Sequence, residues 1–186
     1  MTNKERQLKK LENEMRLDEK LAFSTNLIFG DGPAEAEIVF IGEAPGAKED
    51  LEGLPFVGRS GKLLSATLES IGLKRKDVYI TNIVKRRPPE NRDPSILEIE
   101  AYRPYLKKQL NIIKPKVIVT LGRFSMNYFL PEAKISRDQG NLFHIDGFEL
   151  MPIIHPAAAM RSTRNLNSFK DSFLKLKDLL NKNNAK

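Results

Sequence analysis

The chain has no cysteine and no tryptophan, and only two histidines among its 186 residues. Without cysteine there is no disulfide framework, no thiolate metal site and no sulfur nucleophile. Two histidines also argue against a zinc centre, which draws on several nitrogen or sulfur ligands. Long apolar runs are missing as well, and nothing approaches the roughly 20 residues that a membrane helix needs. The start, MTNKERQLKKLENEMR, is too charged for a signal peptide. A cytoplasmic protein with no membrane partner is therefore expected.

What the chain does have is charge. Lys and Arg number 31 against 24 Asp and Glu, giving a formal net charge of +7, and charged residues make up 30% of the whole. Nucleic acid is a favoured partner class for such a balance, although a basic surface also serves solubility alone. The length suits one core, so a single domain over residues 1–186 and a monomer are expected.

Apolar spacing then divides the chain. Leu8, Leu11 and Met15 predict an amphipathic helix within residues 4–20, in an N-terminal segment 1–24 that packs on the core. EIVFI (37–41), VYITNIV (78–84) and KVIVTLG (116–122) read as buried strands, followed by a short β-type stretch at 142–148 and the strand-to-loop run ELMPIIHP. Between them, residues 61–72 predict a helix stopped by Gly72, and 94–111 a second one that Pro104 should kink or divide. Residues 123–130 look helical, and Phe169, Phe173, Leu176 and Leu180 mark a closing helix within 165–186. Strands alternating with helices predict a three-layer α/β/α sandwich around a mainly parallel sheet. Ligands of such sheets bind beyond the carboxyl ends of the strands, where GEAPG, TNIVKRRPP and HPAAAMR leave.

Each of these loops admits two accounts. GEAPG (42–46) lets a backbone approach a ligand closely around Glu43, or is an ordinary turn; it is no P-loop, because GxxxxGK[ST] is absent. Phe56, in PFVG, offers a face for a flat ligand or anchors its loop to the core. Asn82, in an otherwise apolar strand, reads a base edge or ties two loops together. His155, at a strand end before Pro156, donates to developing negative charge or is a satisfied structural histidine. His144 lies in a polar stretch and is assigned no role. In HPAAAMRSTR, Met160 between small residues and arginines forms a wedge with a phosphate grip, or merely starts a surface helix.

Taken in order, GEAPG…ED, GLPFVGRSGKLL, VYITNIVK.RPPENR and HPAAAMR resemble the family 4 uracil-DNA glycosylases, over about residues 25–161. The resemblance implies an α/β/α enzyme that flips uracil out of single- or double-stranded DNA, hydrolyses its N-glycosidic bond and leaves an abasic site, with no metal in the chemistry. It implies that Glu43 and Ala44 line the pocket through their backbone, that Phe56 stacks on the base, that Asn82 reads its polar edge and that His155 donates to O2 of the leaving uracil. Ala44 stands where some sister families carry a water-assisting aspartate, so Glu43 or Glu49 would assist the water here. DNA contacts would come from Lys85, Arg87, Arg92, Met160, Arg161 and Arg164.

The family usually carries four cysteines that hold an iron–sulfur cluster, and the corresponding positions are Met15, Asp18, Arg86 and Tyr102. With no thiolate anywhere, no cofactor is expected. Packing of Met15 on Tyr102, and pairing of Arg86 with Asp18 or with DNA, would take the cluster's place. Two other functions compete: a nucleic-acid-binding module that kept the fold without activity, and a broader glycosylase of deaminated bases.

Overall fold

A computed structural model describes residues 1–21 and 23–184. The element order is α1 (Asn3–Arg16), β1 (Ile38–Gly42), α2 (Ala47–Glu52), α3 (Arg59–Ser70), β2 (Tyr79–Asn82), α4 (Ile96–Ile113), β3 (Val117–Leu121), α5 (Arg123–Phe129), α6 (Ile135–Asp138), β4 (Phe143–Ile145), β5 (Phe148–Ile153), α7 (Pro156–Ala159) and α8 (Thr163–Asn184). The five strands form one sheet in the order β2-β1-β3-β5-β4, parallel except for the β4–β5 hairpin.

Side-chain alternation along the strands builds two cores, one on each face of the sheet. In β1, Val39 and Ile41 face α1 and α4, where Leu8, Leu11, Met15, Tyr102 and Leu106 are buried. Ile38 and Phe40 face the other way, onto Leu64 and Leu68 of α3 and Phe169, Phe173 and Leu176 of α8. Phe40 and Phe173 stack with centroids 5.9 Å apart. Each such buried side chain contributes about 2 kcal/mol. The expected three-layer sandwich is therefore present.

Local chemistry sets the helix ends. Thr2 and Glu5 form a capping box for α1, and Ser95 and Glu98 do so for α4. α1 stops at Arg16, before the expected residue 20, because the apolar face ends at Met15 and Leu17 is 80% exposed. Pro104 sits inside α4 without dividing it. α2, α6 and α7, each six residues or fewer, have too short an apolar pattern to be read from sequence. α8 begins at Thr163; the last two residues of the expected 165–186 helix, and Ala22 of the N-terminal segment, lie outside the described residues.

Candidate active site

Gly42 and Asn82 end β1 and β2 side by side, paired in register. The Asn82 side chain is buried, and its Oδ1 has no hydrogen-bond partner among the described residues. A Cβ added at Gly42 would stand 2.4 Å from that oxygen and 2.5 Å from the Phe56 ring. Glycine is thus what allows strand, amide and ring to converge. Beyond the strands, the carbonyls of Gly42 and Glu43 accept the N–H groups of Ile83 and Val84, each at 3.0 Å, and hold the two loops together.

Phe56 adopts φ +52°, a left-handed conformation that a bulky residue keeps only when its surroundings enforce it. Two contacts do so. Arg75 donates from Nη1 to the Phe56 carbonyl at 2.9 Å and from Nη2 to that of Pro55. Gly61 lies so close beneath that a Cβ there would come 1.7 Å from the Phe56 carbonyl oxygen. The ring is part of the core on the α3 face and also meets His155, with centroids 5.8 Å apart. The ring therefore anchors its loop to the core. Arg75 and Gly61 escaped the sequence reading because each serves a backbone carbonyl, which leaves no pattern.

Glu49, at the start of α2, binds loop to loop. Its Oε2 accepts the Gly46 N–H at 3.2 Å, while Oε1 accepts those of Val57 and Gly58 at 3.0 and 2.9 Å. Both oxygens are engaged in positioning GEAPG and PFVG, which leaves Glu43 as the other candidate carboxylate. Burial pushes the Glu43 carboxyl up to about 7; nearby Asp93 adds to the rise and Arg123 opposes it. Asp93 and Arg123 pair at 2.8 Å, and neither stood out in the sequence because each lies in a different segment. Ala44, half-buried, brings no second carboxylate.

His155 follows β5, and its Nδ1 accepts the Ala157 N–H at 3.1 Å, the cap of α7. Burial pulls its pKa down to about 4, Glu49 opposing and Arg161 reinforcing. A neutral ring whose Nδ1 accepts must carry its proton on Nε2. His155 is therefore a neutral N–H donor at neutral pH.

The cations expected to meet DNA divide sharply. Lys85 must be corrected: it is fully buried, and its Nζ donates to Gln109 Oε1 at 2.6 Å and to Thr81 Oγ1. Gln109 in turn donates to the Phe29 carbonyl and to Tyr79 Oη. Burial draws the Lys85 pKa well below that of a free lysine. Lys85 lies three residues beyond the end of β2 and closes a run buried from Thr81 onward, so its place in a basic loop hid its inward direction. Arg87 donates to Asn91 Oδ1 at 2.7 Å, and exposed Arg92 is forked onto Glu98. Arg161 and Arg164 are exposed and have no side-chain partner among the described residues, beside Met160 at 40% exposure.

The four positions matching the family's cluster ligands do not fit a cluster. Met15 and Tyr102 are fully buried in one core, as expected of packing that joins α1 to α4. The pairing of Asp18 with Arg86 must be corrected: Asp18 accepts from Tyr105 Oη at 2.6 Å, and Arg86 donates to the Thr25 carbonyl. Tyr105, one turn beyond Tyr102, reaches Asp18 first. None of the four supplies a thiolate.

The family model described as the uracil DNA glycosylase superfamily matches residues 29–178. The type-4 uracil-DNA glycosylase of Archaeoglobus fulgidus is 45% identical over 167 residues, covering 85% of this chain and 84% of the relative. Those of Saccharolobus solfataricus and Sulfurisphaera tokodaii are each 44% identical, covering 85% and 84% of this chain and 78% and 76% of the relatives. The chain belongs to the uracil-DNA glycosylase superfamily and, within it, to the type-4 group.

Proposed function

We propose that this protein is a DNA-repair enzyme that flips uracil out of DNA and hydrolyses its N-glycosidic bond. The observation that carries the reading is the buried, unpartnered Oδ1 of Asn82 beside the Phe56 ring and the neutral His155. A buried polar atom without a partner costs about 1–3 kcal/mol, which a matching ligand recovers. Uracil matches: its N3–H would donate to Oδ1 and its O4 would accept from Nδ2, with the base on Phe56. His155 Nε2–H would donate to O2.

As the bond from C1′ to N1 breaks, its electron pair moves onto the uracil, and the charge growing on O2 is stabilised by that hydrogen bond. The neutral ring stabilises that charge by donating a hydrogen bond and keeps its own proton. The sugar becomes oxocarbenium-like, water adds at C1′ through its oxygen, and the proton it sheds passes to the uracil anion, directly or through solvent. Glu43, in its ionised form, orients that water and stabilises the cation. Met160, flanked by Arg161 and Arg164, wedges the stack while the arginines hold phosphates. The whole chain acts as one monomeric domain in the cytoplasm, on single- or double-stranded DNA.

A uracil-bearing oligonucleotide treated with protein and then alkali tests the reading, with Asn82→Ala and His155→Ala alongside. Strong cleavage by the wild type alone supports it. Cleavage by none of the three makes the protein a binding module, and equal cleavage by all displaces the site. A parallel oligonucleotide bearing hypoxanthine tests the broader specificity.

A further inference from the structure

At the end of the sheet remote from Asn82 and His155, a groove of about 920 Å³ opens between α4, α5 and the β4–β5 turn. β3 separates the two ends, five residues spanning about 17 Å.

Its rim is cationic. Arg103, Lys107, Lys114 and Lys116 line it against one lining carboxylate, Asp146. Arg103 is committed to Glu100 at 2.7 Å and Lys116 to Glu37 at 2.6 Å. Lys107 and Lys114 are exposed and have no side-chain partner among the described residues.

Its floor is aromatic but offers little flat surface. The Arg103 guanidinium lies 4.1 Å over the Tyr128 ring. Phe129 meets Tyr128 and Phe148 edge to face, at 67° and 85°. Rings that spend their faces on one another and on Arg103 make a poor platform for nucleobases, which bind by face-to-face stacking. They make an apolar floor of ring edges, into which bulky aliphatic or aromatic side chains can settle.

We propose that this groove docks an acidic peptide segment of another protein, its carboxylates on Lys107 and Lys114 and its apolar side chains on Tyr128, Phe129 and Phe148. Charge complementarity at the rim and apolar contact at the floor select that chemistry. The position leaves the DNA-facing end of the sheet free, so partner and DNA can be held together.

The test uses the full chain and a fluorescein-labelled peptide that alternates Asp or Glu with Leu or Phe, read by anisotropy. The wild type should bind it, and the double variant Lys107→Glu/Lys114→Glu, altered only at exposed positions, should bind about tenfold or more weakly. Uracil excision by that variant should be unchanged, which separates this proposal from the one above. A peptide with Asn and Gln in place of the acids should bind poorly. Equal binding of the acidic peptide by both proteins, or none by either, overturns the proposal. So does oligothymidylate that binds the wild type, is displaced by the peptide and is lost in the variant, because the groove would then be a nucleic-acid site.

Discussion

The Nδ1 of His155 accepts the backbone N–H of Ala157, which fixes both the ring's orientation and its proton on Nε2. The same bond caps α7, so one contact joins a helix terminus to the orientation of the imidazole. Replacing His155 by Ala should lower the rate of the chemical step by about a hundredfold or more, the usual effect of losing a donor to a developing anion. DNA binding should change little, and the circular dichroism spectrum should not change.

The pH dependence should follow Glu43 rather than His155. With its carboxyl raised to about 7, Glu43 gains its charge as pH rises through neutrality, so single-turnover excision should climb between about pH 6 and 8. His155, held near 4, is already neutral throughout that range and adds no step. Glu43→Gln should be slow and flat across it. A wild-type profile that is flat from 6 to 8 would remove Glu43 from the water's side of the reaction.

Glu49→Gln tests the loop tie. An amide oxygen can accept from one side of the cleft while its NH₂ now faces an N–H donor, so one loop is released. A loss of about 1–3 kcal/mol in unfolding free energy is expected from charged hydrogen bonds of this kind. KM should rise along with it, as PFVG and its Phe56 lose their fixed position. Unchanged stability would mean the three N–H groups do not depend on the carboxylate.

The basic residues make opposite forecasts for salt. Arg161→Ala should lower the salt slope of DNA binding by about one, as expected when one phosphate contact is lost. Lys85→Met should leave the slope alone, because Lys85 is buried on Gln109 and Thr81. Its effect should appear in thermal stability.

Much of this was legible in the sequence, for a physical reason. Strands β1, β2 and β3 announce themselves by β-branched runs, and α1 and α8 by apolar spacing, because burial imposes both patterns. Asn82, Phe56 and His155 could be picked out as residue types at odds with their setting. What could not be read is direction. Lys85 sits in a basic loop and points inward, Glu49 sits near the cleft and spends itself on backbone N–H groups, and Asp18 bypasses Arg86 for Tyr105. Those choices depend on which neighbour arrives first in three dimensions. The groove at the far end was invisible for the same reason, since Lys107, Tyr128 and Phe148 come from three separate elements.

The central claim is that Asn82 reads uracil in a pocket shared with Phe56 and His155. It is tested most directly by measuring free uracil released in a single turnover from uracil-bearing DNA, by the wild type and by Asn82→Ala. The wild type should release uracil to completion, and the variant should do so about a hundredfold more slowly, the equivalent of about 3 kcal/mol of lost hydrogen bonding. Equal rates from the two proteins, or no uracil from the wild type, would contradict the account.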